Sequence, residues 1–106
     1  MTDLRTVYMT APDEATAARL ARKLLELRLI ACANVLPAVR SWYRWEGDVH
    51  DDAEVALLCK TRAELLPELQ REAALLHPYD VPCIVAWPIA SGHEPYLDWV
   101  RQETGS

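Results

Sequence analysis

The densest concentration of side chains able to do chemistry is His77-Pro78-Tyr79-Asp80-Val81-Pro82, which sets an imidazole, a phenol and a carboxylate within four residues. Trp42-Tyr43-Arg44-Trp45-Glu46-Gly47 and Lys60-Thr61 lie upstream of it, and Tyr96-Leu97-Asp98-Trp99 downstream. All fall near the ends of the segments read below, where polar and aromatic groups are freer to bind than in a core. Three chemistries compete for them: metal binding, nucleophilic catalysis and capture of a small ligand. For a metal, the chain offers His50, His77 and His93 but no C-x-x-C, H-x-x-x-H or EF-hand spacing, so no local pattern builds a site. His77 is the candidate ligand. Its structural alternative is a place at a helix C-terminus, where an imidazole caps carbonyls or meets the negative end of the dipole. His50 and His93 read as solvated turn residues. For catalysis, Cys32, Cys59 or Cys83 can meet His77 only through the fold, and with three glycines there is no G-x-S-x-G elbow or glycine-rich oxyanion loop. The chain therefore reads as non-enzymatic. Neither a P-loop nor G-x-G-x-x-G occurs, so no phosphate cradle is encoded.

Composition narrows the partners. A net charge of −5 argues against a nucleic-acid surface. No apolar run approaches the ~20 residues needed to span a bilayer, and the first residues lack the charged and apolar regions of a signal peptide. Three cysteines, an odd number within apolar runs, read as reduced, buried thiols of a cytoplasmic protein. With 51% apolar residues over 106 positions, the chain holds enough for one core, and a single domain over residues 1–106 is expected.

The elements that must position these groups follow from periodicity. Residues 4–10 alternate as a strand. Asp13 then caps a helix whose buried face is Ala17, Leu20, Ala21, Leu24 and Leu27 or Arg28. Residues 30–45 and 49–59 form a hairpin about the turn Glu46-Gly47-Asp48. About 14 extended residues span roughly 46 Å, against a radius of gyration near ~13 Å for a domain of this size. The hairpin must bend or project, and Pro37 marks a bend or bulge. Thr61-Arg62-Ala63-Glu64 matches a capping box, but Pro67 conflicts with a helix begun at Arg62. A tight or 3₁₀ turn over 62–65 and a helix over 66–76, burying Leu69, Ala73 and Leu76, resolves the conflict. Residues 83–89 read as a last core strand, and Ser91 to Pro95 cap a terminal helix reaching Glu103.

The order β-α-β-β-α-β plus a C-terminal helix is an α+β, ferredoxin-like split βαβ arrangement, with a four-stranded antiparallel sheet. Alternation sets Tyr43 on one sheet face and Trp42 with Arg44 on the other. One face packs on the chain's own helices and the other needs a partner, so Trp42, Tyr43, Trp45, Tyr96 and Trp99 read as interface aromatics. Glu54 and Lys60 share a face roughly 20 Å apart. They cannot pair with each other. They can pair across subunits, line a cleft with Ser41 and Tyr79, or simply form a solvated face.

At this point the sequence resembles the CutA divalent-cation tolerance family over nearly its whole length. The marks are Thr10-Ala11-Pro12-Asp13-Glu14-Ala15, Ala31-Cys32-Ala33-Asn34, Ser41-x-Tyr43-x-Trp45-Glu46-Gly47, Glu54-x5-Lys60-Thr61, His77-Pro78-Tyr79-x-x-Pro82 and Tyr96-Leu97-x-Trp99. The resemblance implies a homotrimer of PII-like architecture, in which each hairpin covers its neighbour's sheet edge and removes an aggregation hazard. It implies tolerance or homeostasis of divalent cations such as copper, through weak metal binding or signalling. A PII-like sensor taking a small anionic ligand at subunit clefts, with Lys60 and Arg44 available, and a structural adaptor are the alternatives. Copper ligands proposed for some relatives include a Cys before Thr-x-Pro and adjacent His residues before Pro-Tyr. Here Met9 and Leu76-His77 stand there, and Cys83 follows Pro82 where the family tends to be acidic. Met9 and Cys83 are soft groups that suit Cu(I).

Overall fold

The first turn of the fold is set by Asp13, whose carboxylate accepts from the Thr16 N–H at 2.8 Å. It ends β1 (Leu4–Ala11) and starts α1 (Glu14–Glu26), satisfying one of the helix's orphan donors. The computed structural model describes residues 2–105. After α1 come β2 (Cys32–Trp45), β3 (Asp48–Arg62), a 3₁₀ turn (Ala63–Leu65), α2 (Leu66–Leu76), β4 (Ile84–Pro88) and α3 (Glu94–Glu103). The four strands lie in the order β2-β3-β1-β4, every neighbour antiparallel. This is the ferredoxin-like order expected from the sequence. No helix among the described residues is long and apolar enough to cross a membrane.

The two sheet faces differ in kind. Val7, Met9, Leu57 and Cys59 point to one face and are fully buried beneath Leu20 and Leu24 of α1 and Leu69 and Ala73 of α2. The opposite face has only α3, whose Leu97 and Val100 cover Leu4 and Ala31 at one end. Beyond α3 that face is open, with Val85 and Trp87 exposed.

β2 and β3 outrun the rest of the sheet. β1 reaches only as far as Val55 on β3, so the strands from Val39 to Trp45 and Asp48 to Glu54 pair only with each other. This two-stranded arm gives the chain a long axis of 44 Å against 25 and 22 Å across. The projection predicted from strand length is therefore present. Its tip is a two-residue loop at Glu46 and Gly47, both with positive φ (51° and 86°), the backbone a tight hairpin turn demands.

A β-bulge stands at the arm's root. Leu36 lies opposite Ala56, but Val39 lies opposite Glu54, so two residues, Pro37 and Ala38, face one. Ala38 takes φ 62°. Because side chains alternate, one extra residue exchanges the faces of everything beyond it. Without the bulge Trp42 and Arg44 would share the face of Glu54. With it, Ser41, Tyr43 and Trp45 do.

Several local expectations are corrected. Thr61 caps nothing: it is the buried end of β3, donating to the Leu29 carbonyl at 2.6 Å. The 3₁₀ turn begins after Arg62 without a side-chain cap, and Glu64 pairs with the Arg62 guanidinium instead. Leu76 and Leu27 are exposed, because each lies where its helix leaves the sheet. β4 is a five-residue edge strand rather than a core strand, and Cys83 lies outside it, exposed. Of the three thiols only Cys59 is buried. Helix α3 starts at Glu94 with Pro95 in its first turn and no side-chain cap, so Ser91 plays no part.

Candidate functional site

Helix α2 ends at His77, and this ring fixes the segment that follows. Nδ1 accepts from the Tyr79 N–H at 3.1 Å, which leaves the proton on Nε2, 2.7 Å from the Thr10 carbonyl it donates to. The ring is 7% exposed and lies 4.7 Å from the Tyr79 ring. Both nitrogens are thus engaged within the chain. His77 ties the loop after α2 to the end of β1 and aims Tyr79 at the open face.

There Tyr79 meets the arm. Its hydroxyl donates to Glu54 Oε2 at 2.8 Å. Glu54 is 9% exposed, buried where β3 leaves the four-stranded sheet, and Oε1 has no hydrogen-bond partner among the described residues. Burial, and then the bond to Glu54, push the Tyr79 phenol far above its ordinary pKa, so it stays a donor at any physiological pH. Burial followed by the nearby Glu54 charge also raises the Cys83 thiol.

Around this pair lies a cleft of about 760 Å³. The arm contributes Ser41, Tyr43 and Trp45, delivered to this face by the bulge. β1 contributes Tyr8 and Thr10, and the loop supplies residues from Pro78 to Cys83. Tyr43 is braced from two sides. Its hydroxyl bonds Asp52, which, with burial, raises its pKa, and its ring stacks on His50 with centroids 5.2 Å apart.

Of the residues singled out in the sequence, Ser41, Glu54 and Tyr79 come together with Tyr43 and Trp45. Lys60 does not line the cleft: it is opposite Thr6 and Cys32, towards α3. Arg44 is likewise outside the lining. Trp42 is on the arm's other face, 61% exposed beneath the Arg40 guanidinium, which forms a two-bond pair with Asp51. Tyr96 and Trp99 pair on α3, rings 5.6 Å apart, with the Tyr96 hydroxyl 3.2 Å from Cys32 Sγ. Burial, then Cys32, raise that phenol to about 12. Met9 lies in the helix-covered core and Cys83 on the cleft wall, so these two soft groups sit on opposite sides of the sheet. No three His, Cys, Asp or Glu side chains among the described residues are grouped to hold a metal ion. Tyr8 and Thr10 were missed as cleft residues, although strict alternation along β1 puts them on one face.

Comparison with known proteins settles the lineage. The family described as CutA1 divalent ion tolerance protein matches residues 5–103. The chain belongs to the CutA1 family. It is 48% identical over 99 residues to the divalent-cation tolerance protein CutA of Thermus thermophilus, covering 93% of this chain and 96% of that one. A solved structure of the divalent cation tolerance protein from that organism superimposes with a TM-score of 0.94 at 47% identity, covering 96% of this chain and 99% of that one. Human protein CutA is 41% identical over 93% of this chain, which spans 55% of the human protein's length. A structure described as the periplasmic divalent cation tolerance protein CutA of Archaeoglobus fulgidus gives a TM-score of 0.91 at 39% identity, covering 94% of this chain and 97% of that one. This CutA1 chain thus shares both the fold and the family description of divalent-ion tolerance.

Proposed function

We propose that this CutA1 chain serves divalent-cation tolerance, copper among the cations, as a homotrimer that acts by binding and not by catalysis, with the cleft at Glu54 as its binding site. The observation that carries this reading is the buried Glu54 carboxylate, held on one oxygen by Tyr79 and open to the cleft on the other. A fold does not bury a carboxylate at a cleft wall without cost, so binding is the simplest return for it. The trimer is supported by the arm. A two-stranded hairpin is marginal alone in water, and this one exposes Trp42, Tyr43, Trp45 and Val49. Apolar exposure of that extent marks an association surface, and the free edge of β2 invites a neighbouring chain. Trp45→Ala is expected to weaken the trimer. All three thiols are free, Cys83 among them exposed, which favours a reducing compartment, the cytoplasm.

Direct copper binding is the second reading, favoured by exposed Cys83 beside Glu54, a soft and a hard donor at one wall. Calorimetric titration of reduced, metal-free protein with Cu(I), Cu(II) and Zn(II) tests both. Tight binding lost in Cys83→Ser supports the direct route. Flat titrations leave cation tolerance to a different guest in the cleft. His77→Ala is the control for loop placement: since both ring nitrogens are engaged, it is expected to disturb the Tyr79 loop whichever guest binds.

A further inference from the structure

The cleft has a chemical bias of its own. Its charged lining is acidic, Glu54 and Asp80, and among the described residues no Lys, Arg or His lines it. Its walls are aromatic, Tyr8, Tyr43, Trp45 and Tyr79. Asp52, bonded to Tyr43, adds a further negative charge close enough to raise the Tyr79 phenol. An inorganic divalent cation is poorly served here. Calcium and magnesium take six or more oxygens, or retain their water, whereas Glu54 and Asp80 are the only carboxylates in the lining and no three His, Cys, Asp or Glu side chains among the described residues are grouped to hold an ion. A large cation of low charge density loses little on dehydration and is attracted to the faces of Tyr and Trp. An anion meets only repulsion from Glu54 and Asp80.

Resting on the reading that this cleft is a binding site, we propose that its guest is a small organic cation of the alkylated ammonium type, its charge at Glu54 Oε1 and its alkyl groups against Tyr43, Trp45 and Tyr79. Glu54 supplies the charge, Tyr79 fixes its orientation and the bulge brings up the arm's two rings. The rings of Tyr43 and Trp45 line the wall that the alkyl groups would meet.

The test uses the full chain in its native assembly, followed through the Trp45 indole N–H resonance. Choline is titrated in parallel with 3,3-dimethylbutan-1-ol, its uncharged carbon isostere, and with acetate and Zn(II). Saturable choline shifts, with the isostere and acetate at least roughly tenfold weaker, are expected, and Glu54→Gln is expected to weaken choline by roughly tenfold. The isostere comparison needs no variant, so it decides the matter even if Glu54→Gln fails to fold. Equal binding of choline and its isostere, or undiminished choline binding by folded Glu54→Gln, overturns the proposal. Binding of acetate or Zn(II) without choline overturns it while leaving the cleft a site. Silence from all four probes removes the cleft reading itself. No choline binding together with a smaller assembly in Glu54→Gln also overturns it, since Glu54 then serves contact between copies of the chain.

Discussion

The two faces of this one sheet are built from the same strands and do opposite work. On the covered face Val7, Met9, Leu57 and Cys59 are fully buried beneath two helices. On the open face the same strands present Tyr8, Thr10 and Glu54, joined by arm aromatics and a helix-end loop. The first face stabilises the chain by itself. The second is unfinished in a single chain, with Val85, Trp87, Tyr43 and Trp45 each roughly half exposed. Core packing and the proposed binding are thus separated by strand alternation, and the bulge at Pro37 and Ala38, which breaks alternation, decides which arm residues join the open face.

That contrast can be broken most severely by inserting one residue between Glu54 and Val55, opposite Pro37 and Ala38. With the bulge matched, the arm turns over, bringing Trp42 and Arg44 to the open face and taking Glu54, Tyr43 and Trp45 away from it. Loss of cleft binding and of the native assembly is expected, read by the indole titration and by sedimentation, with helix content by circular dichroism preserved. Retained binding would show that the bulge does not set the face. Next, Leu57→Ala on the covered face is expected to cost about 2–5 kcal/mol in denaturant unfolding, with the Tyr79–Glu54 pair undisturbed in the remaining folded protein. Tyr79→Phe on the open face is expected to cost only about 1 kcal/mol but to change cleft binding, so an unaltered titration would contradict the role given to its hydroxyl. The smallest effect is in the thiols. At neutral pH a disulfide reagent is expected to modify Cys83 first and Cys59 only on unfolding. Cys59 moves from 9.0 to about 12 on burial. The unfolded chain therefore loses this proton first as pH rises. The contribution of Cys59 is full below pH 9 and declines from there towards 12. A stability curve rising over that window would contradict it.

Much of this was legible in the sequence. Strand alternation, the helix cap at Asp13, the 3₁₀ turn forced by Pro67 and an overlong hairpin bent at Pro37 follow from local chemistry, and the six motifs named the family. Of Ser41, Glu54, Lys60 and Tyr79, read together from the sequence, all but Lys60 line one cleft. What escaped was long-range. Thr61 fits a capping box on local pattern, yet β1 draws β3 out to Arg62 and buries Thr61 against Leu29. Lys60 shares a strand face with Glu54, but six residues of strand carry it away from the cleft. Cys83 reads as core within an apolar run, but β4 is an edge strand and begins one residue later. The double hydrogen bond that commits the His77 ring joins Thr10 and Tyr79, 67 positions back and two ahead, and only the fold brings those together.

The account turns on the open face being an association surface, and sedimentation velocity of the reduced protein at micromolar concentration tests that most directly. A single species of three 12.0 kDa chains that dissociates in Trp45→Ala is the predicted result. A 12.0 kDa monomer, or an assembly unchanged by Trp45→Ala, would contradict it.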